Sequence, residues 1–383
     1  MESTNFKVAT IGGAGHIGLP LSCYIQNKNI ETVIIDKNKE AIEKILNGSP
    51  PFKEDNFEIN LKNALDRGLD ATTDIEKISD CNVVIVCLGT SSDEKDKKIF
   101  DTVIKEILDK INDQSLLILR STVERGLLEK IIEEIKSIKK NVKTAYCPER
   151  LAEGFAFEEL SALPQIVGTN EINDYKDFDE FFTMLGISTL SVSINEAEFI
   201  KLFLNSYRYS QFSLINKYAN IAESLSLDFS RILEIAEKNY PRLKGVPRPG
   251  FVGGPCLIKD HKTFINSYEP NGDFLKKFFV INENFMDNLI NRIKSQFKGN
   301  KIIQLGITFK PNSDDLRDSQ SLILNKNLTN LGYEIRIVEP NLDGFSSYQE
   351  IKNFSDNILI STFHDEFKNL SFKNKEVIIV GKK

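Results

Sequence analysis

Cysteine is scarce. Five residues, Cys23, Cys81, Cys87, Cys147 and Cys256, are scattered over 383. Their number and spread do not make a disulfide framework, and no CxxC pair points to zinc. The expectation is a reducing cytoplasmic setting, no resident metal, and mostly small buried thiols. Long apolar runs are also missing. No stretch reaches the ~18 residues a membrane helix needs, so no membrane insertion is expected. The opening MESTNFKVAT lacks a basic segment followed by an apolar one, and no secretory leader is expected. A basic excess is absent too, with 49 Lys and Arg against 55 Asp and Glu and a net charge of -6. That disfavours a nucleic-acid or anionic-membrane surface. What remains, 41% hydrophobic and 27% charged residues, describes an ordinary globular chain of two or three domains.

Alternation dominates the first half. Short β-rich runs at Val8–Ile11, Thr32–Ile35, Val83–Cys87, Leu116–Leu119 and Gln165–Val167 are separated by amphipathic stretches. This predicts βαβ units around a parallel sheet. From Asn195 to about Leu225 there is neither Gly nor Pro, and apolar residues recur at helical spacing, predicting one long helix. More helix is expected over Ser230–Lys238 and Asp273–Lys298, with a loop rich in Pro, Gly and bases between them, Tyr240–Gly250. The β/α rhythm resumes with strands expected at Ile302–Leu305, Glu334–Val338, Ile358–Ser361 and Val377–Val380. The fold class expected is α/β. Two Rossmann-like doubly wound parallel-sheet domains, residues 1–192 and 299–383, are joined by a helical central region, 193–298, containing the long helix.

Residues Gly13-Ala14-Gly15-His16-Ile17-Gly18 fit GxGxxG, directly after a strand and opening a helix, with Asp36 at the end of the next strand. In that context the pattern is a dinucleotide-binding signature. Gly13 permits the tight turn, Gly15 lets a pyrophosphate approach the backbone, and Gly18 allows close packing of helix on strand. The helix start supplies amides for phosphate. Asp36 would accept from ribose hydroxyls and repel a 2′-phosphate, so NAD is expected over NADP, with Lys37 beside it. A purely structural glycine turn is the plain alternative.

Four further segments carry chemistry. Pro148-Glu149-Arg150-Leu151-Ala152-Glu153-Gly154 sets two carboxylates four residues apart. In Glu198–Asn205 of the long helix, Lys201 and Asn205 share a face, although solvent-facing Lys and Asn are the commoner reading of that spacing. Gly250-Phe251-Val252-Gly253-Gly254-Pro255-Cys256-Leu257-Ile258-Lys259-Asp260 leads from glycines to one thiol near a Lys and an Asp, so Cys256 is either a nucleophile or a buried structural cysteine. Phe309-Lys310-Pro311-Asn312 follows the first strand of the last domain, where ligand loops of such sheets lie.

Taken in order, these segments resemble the UDP-glucose/GDP-mannose dehydrogenase family, the nucleotide-sugar 6-dehydrogenases, over essentially the whole chain. The glycine turn followed by Leu19-Pro20, Ser121-Thr122-Val123, PERLAEG, EFIKLFLN, GFVGGPCLIKD and TFKPNSDDLRDS are each similar to a family block. The resemblance implies an NAD domain and a nucleotide-sugar domain flanking a helical dimerisation region, in a homodimer or higher homo-oligomer. It implies four-electron oxidation of a sugar C6 alcohol to the carboxylate with two NAD. Cys256 would add to the C6 aldehyde, giving a thiohemiacetal and then a thioester that water hydrolyses. Lys201 and Asn205 would stabilise the oxyanion, Asp260 would assist proton transfer, and Glu149 would be the base for hydrolysis. Thr122 would position the water or the nicotinamide. Cofactor contacts are carried to Gly13, Gly15, His16, Ile17, Gly18, Asp36, Lys37, Thr90, Thr122, Glu153 and Arg317. Substrate contacts are carried to Glu149, Arg150, Leu151, Glu153, Lys201, Asn205, Phe251, Gly253, Gly254, Phe309 and Lys310, with Arg242 reaching a second copy's sugar and Arg248 as its substitute.

The chain departs from the family at His16, where Tyr is usual, and at Pro255, where Ser, His or Tyr is usual. It also ends at Val380-Gly381-Lys382-Lys383 without the family's arginine, for which Lys382 could stand in as a charge but not as a bidentate fork. A UDP-N-acetylhexosamine ranks first as substrate, then UDP-glucose, then GDP-mannose, and a role in surface polysaccharide follows from the resemblance alone. Two alternatives stay open: a two-electron dehydrogenase of the β-hydroxyacid type, and a non-enzymatic nucleotide-sugar binder.

Overall fold

A computed structural model describes residues 6–90 and 94–381. By compactness the chain falls into two units that meet between Phe203 and Leu204.

The first unit is built on eight strands: β1 (Lys7–Ile11), β2 (Glu31–Ile35), β3 (Asp70–Thr72), β4 (Val83–Val86), β5 (Leu116–Leu119), β6 (Lys143–Tyr146), β7 (Gln165–Gly168) and β8 (Thr189–Val192). Their order is β3-β2-β1-β4-β5-β6-β7-β8. The central strands β4, VVIV, and β5, LLIL, are buried throughout, as expected where helices cover both faces of a parallel sheet. On one face Ile104, Ile107, Leu128, Ile131 and Ile135 pack together. On the other lie Leu21, Ile25, Phe178, Phe181 and Phe182. The order reverses between β1 and β4, which makes the loops after these strands the switch point where ligands of such sheets bind. The predicted strand at Gln165 exists but runs the other way: β7 pairs antiparallel with β6 and parallel with β8. The last position of β7 requires glycine because a Cβ on Gly168 would lie 2.6 Å from that of Ala197, in the first turn of the long helix Ile194–Ser224.

The second unit contains a four-stranded parallel sheet, β10-β9-β11-β12, formed by β9 (Lys301–Leu305), β10 (Glu334–Val338), β11 (Asn357–Ile360) and β12 (Glu376–Ile379). Helices Lys277–Gln296 and Gln320–Asn330 cover one face through Leu289, Ile293, Leu324 and Leu328. Helices Phe229–Glu237 and Leu257–Tyr268 complete this unit's helical part with the rest of the long helix. Among the described residues no helix is long and apolar enough to cross a membrane.

Candidate active site

The glycine turn leaves β1 and enters helix Gly18–Asn27. Its left-handed residue is Gly12, φ 70°, whose amide donates to the Ile35 carbonyl at 2.9 Å. The tight turn therefore falls one residue before Gly13, the position that spacing alone selects. Gly13 and Gly18 are required for space instead. A Cβ on Gly13 would come within 2.6 Å of the Thr10 carbonyl oxygen, and one on Gly18 within 2.6 Å of the Gly13 Cα. At Gly15 the nearest atom to such a Cβ is 3.5 Å away. Internal packing leaves room for a methyl there, so packing does not account for this glycine. Asp36, directly after β2, accepts from the Ala14 amide at 3.2 Å and the Asn38 amide at 3.0 Å, and it stays partly exposed. The start of helix Gly18–Asn27, at Ile17, carries no side-chain cap. A bare turn, an uncapped helix start and a carboxylate at the next strand fit NAD. His16 stacks on Phe52 with ring centroids 3.9 Å apart, and Lys37 is exposed. Thr90, after β4, donates to the Thr122 carbonyl at 2.5 Å, joining the loops that follow β4 and β5.

The segment after β6 is held by charge. Glu149 is buried and ion-paired with buried Arg120, which also donates to Gln165 Oε1 at 2.7 Å. Glu149 Oε1 accepts from the amides of Arg150 at 2.6 Å and Leu151 at 2.8 Å. Burial pushes the Glu149 carboxyl up, but the Arg120 guanidinium, its hydrogen bond, the Leu151 amide and nearby Lys201 outweigh that and hold it below the carboxylate range. The carboxylate to which the resemblance gives the role of hydrolytic base is thus bonded to Arg120 and to two backbone amides. The backbone of the same residue binds the other expected group: buried Lys201 donates from Nζ to the Glu149 carbonyl at 2.6 Å. Arg150 is turned to the Pro164 carbonyl. Glu153 is half-buried before Gly154, φ 91°, and Glu54 fixes this loop by accepting from Gly154 at 3.0 Å and Ala156 at 2.7 Å.

The thiol segment is built from the second unit. Cys256 is the exposed cysteine and stands at the N-cap of helix Leu257–Tyr268. The other four are buried. Burial pushes Cys23, Cys87 and Cys147 up to about 12 and Cys81 to about 11, which suits inert core thiols. One turn after Cys256 lies Asp260, fully buried, with Asn205 Nδ2 donating to its Oδ2 at 2.6 Å and the Lys259 ammonium 3.0 Å from its Oδ1. Upstream, Asn216 of the long helix grips Gly250 by both backbone groups, at 2.9 and 2.8 Å. Phe251 sits edge-on to Phe285. A Cβ on Gly253 would lie 2.7 Å from the Asp318 carbonyl oxygen, and Gly254, φ 89°, faces the Phe309 ring.

The loop after β9 is ordered from beneath. Lys310 Nζ lies 5.8 Å from the centroid of the Phe309 ring. Buried Glu339 accepts from Ile307 at 2.8 Å and lies 3.1 Å from buried His364, which accepts the Asn312 amide at 2.9 Å. Arg317 forks onto Asp315 at 2.8 and 2.5 Å. Arg242 is exposed in a short turn against Tyr240, and Arg248 pairs with Glu237 at 2.6 Å. Lys382 lies outside the described residues.

Three family models match the chain in the order of the motifs: the NAD binding domain of the UDP-glucose/GDP-mannose dehydrogenase family over residues 6–185, its central domain over 195–284 and its UDP binding domain over 304–382. The chain belongs to the UDP-glucose/GDP-mannose dehydrogenase family. It is an NAD-dependent nucleotide-sugar dehydrogenase. UDP-N-acetyl-D-mannosamine dehydrogenase of Methanococcus vannielii is 28% identical over 402 residues, covering 100% of this chain and 91% of that one. The fold is that of a UDP-D-ManNAc dehydrogenase from Pyrococcus horikoshii, with TM-score 0.90, 24% identity, and 98% and 95% of the two chains covered. A UDP-glucose dehydrogenase from Pyrobaculum islandicum aligns with TM-score 0.87 and 21% identity over 100% and 95%.

Sequence reasoning missed Arg120, Glu54, Asn216, His261, Glu339 and His364. Each acts through a partner distant in sequence. The only local signal is a polar residue in an apolar neighbourhood, clearest for Arg120 directly after LLIL.

Proposed function

We propose that this enzyme oxidises the C6 hydroxyl of a UDP-N-acetylhexosamine of the N-acetylmannosamine type to the carboxylate, through a covalent intermediate on Cys256. The observation that carries the reading is the exposed thiol at a helix N-cap, one turn from a buried Asp260 bonded to Asn205. Bound NAD supplies the acceptor for the hydride that leaves C6 in each of two oxidations. Cys256 Sγ adds to the aldehyde carbon and so prevents its release. The helix N-terminus favours the negative charge that then develops on oxygen, and Lys201 supplies a cation for it. Asp260 takes the proton of the water that hydrolyses the thioester, while Asn205 orients that carboxylate. Glu149 contributes by position: its carboxylate shapes the Arg150–Leu151 turn and its carbonyl holds Lys201.

NAD is held by Gly13, Gly15, Ile17, Gly18 and Asp36, with His16, Lys37, Thr90, Thr122, Glu153 and Arg317 around it. Phe251, Gly253, Gly254, Phe309 and Lys310 receive the nucleotide sugar, Lys310 at its diphosphate, with Arg150 and Leu151 shaping the sugar's side. The N-acetylhexosamine is favoured over UDP-glucose by Pro148-Glu149-Arg150 and by the name of the Methanococcus vannielii relative. The three-part division at residues 192 and 298, a cytoplasmic site of action and a role in surface polysaccharide belong to the same reading. So does a homodimer, with Arg242 reaching the second copy. Leu214, Tyr218 and Ile221 expose apolar surface along the long helix, which monomers rarely leave bare over a large area.

NADH formed per sugar consumed, across UDP-N-acetylmannosamine, UDP-glucose and GDP-mannose, tests the reading. Two NADH per sugar, and no carboxylate from Cys256→Ser, are expected. One NADH per sugar, or a fully active Ser variant, would sink the thioester route.

A further inference from the structure

The helix that opens at Cys256 is tied to the long helix twice, at consecutive residues of each. Asn205 donates to Asp260, and Ser206 Oγ lies 2.8 Å from His261 Nδ1. The Asn205–Asp260 bond belongs to the site already described. The second bond lies outside it, in a buried box: His261 is fully buried, with the rings of Tyr209 at 4.6 Å and Phe279 at 5.0 Å between centroids.

The tautomer follows from the partners. His261 Nε2 lies 3.0 Å from the Leu275 carbonyl oxygen. A carbonyl can only accept, so Nε2 carries the proton and Nδ1 accepts from the Ser206 hydroxyl. Both nitrogens are thus committed, as burial demands of a polar ring. Consecutive helix residues project about 100° apart around the axis. One contact at Asp260 leaves a pivot, whereas contacts at both Asp260 and His261 fix the helix's roll. Asp260 N–H donates to the Cys256 carbonyl at 2.8 Å, so the roll is passed directly to the N-cap.

We infer that His261, held by Ser206 and Leu275, is a positioning residue that sets the roll of the Cys256 helix and thereby the place of the thiol. The consequence for catalysis rests on the reading of Cys256 as nucleophile. A roll of about 10–20° moves a side chain about 5–6 Å from the axis by about 1–2 Å, and a misplacement of about 1 Å costs on the order of 100-fold in rate.

Three variants test this: Ser206→Ala, His261→Asn and His261→Gln. Asn keeps an acceptor at the Nδ1 place and Gln keeps a donor at the Nε2 place. Measured for each are kcat, KM for both substrates, melting temperature, and the rate at which iodoacetamide alkylates Cys256, read by peptide mass spectrometry. Ser206→Ala and His261→Gln are expected to lower kcat about 10- to 100-fold and to shift the alkylation rate severalfold, with KM for NAD unchanged. His261→Asn is expected to recover most of both. Unchanged alkylation and kcat in a folded Ser206→Ala protein would overturn the inference. So would equal losses in the Asn and Gln variants that merely follow melting temperature. If Cys256→Ser still forms carboxylate, the nucleophile reading fails by itself. The alkylation rate remains the measure of whether His261 places the thiol.

Discussion

Removing the carboxylate of Glu149 is expected to unfold the protein sooner than it disables chemistry. Glu149 and Arg120 form a buried ion pair, in which Arg120 also donates to Gln165 and Glu149 accepts from the Arg150 and Leu151 amides. In Glu149→Gln the amide oxygen still accepts from those backbone groups, but Arg120 keeps a buried charge without its counter-ion. Breaking one partner of such a pair costs about 3–5 kcal/mol. For a unit of this size each kcal/mol lowers the melting temperature by about 2–4 °C, so a fall of about 6–20 °C is expected. Arg120→Met should cost a similar amount. The double variant should be more stable than either single, because no buried charge remains. The acid limb of stability gives a second reading. The folded carboxyl lies below its ordinary 4.5, so its contribution is present above about pH 4.5 and is lost as pH falls through the folded value. Removing the carboxylate should flatten that limb. Differential scanning calorimetry of the four proteins from pH 3 to 7, alongside NADH formation at 25 °C, measures both. The reasoning is refuted if Glu149→Gln melts like the parent yet stops after the thioester forms. That result would make Glu149 the hydrolytic base.

Two further outcomes follow from the second unit. Gly254→Ala places a Cβ 2.6 Å from the Phe309 ring on a backbone of φ 89°. It should cost about 1–2 kcal/mol in strain and lower kcat for the nucleotide sugar more than it raises KM for NAD; steady-state kinetics with either substrate varied checks this. Tyr218→Asp, on the exposed face of the long helix, should convert a dimer to monomer in sedimentation equilibrium, and an unchanged mass would remove that face from the proposed interface.

Periodicity is a sound guide to strands and to the parallel sheets they form, but not to the reversal between β6 and β7. The runs at Leu116–Leu119 and Glu334–Val338 are strands with those same ends: the first is a buried parallel strand with a continuous apolar signature, the second an edge strand, EIRIV, that alternates. The direction of β7 was not legible, since an apolar run is the same read either way. In the glycine turn, the spacing selects Gly13 and passes over its neighbour Gly12. Only the bond from Gly12 to Ile35 shows which one takes the left-handed conformation. The site residues were legible as types and not as states. Glu149 reads as a lone carboxylate until Arg120, in a different strand's loop, is placed against it. His261 carries no motif, and its two partners come from a helix residue 55 positions earlier and a carbonyl 14 positions later.

The two sheets use one device to different ends, and the difference lies in a single acid. In the first, the residue after β1 is a left-handed glycine whose amide donates to the last residue of β2, and the next residue, Asp36, accepts from the turn. In the second, Gly306 follows β9 with φ 78°, donates to Val338 at 2.9 Å, and the next residue, Glu339, accepts from Ile307. Asp36 remains partly exposed and has capacity left for a hydroxyl pair. Glu339 is buried, spends its oxygens on Ile307, Asn341 and His364, and is held below the carboxylate range because those bonds outweigh its burial. An acid closed in this way cannot read a ribose. It can only set the backbone that presents Phe309 and Lys310. The same strand–turn–strand geometry therefore leaves the acid partly open to solvent in the first unit and, in the second, turns it inward to shape a loop.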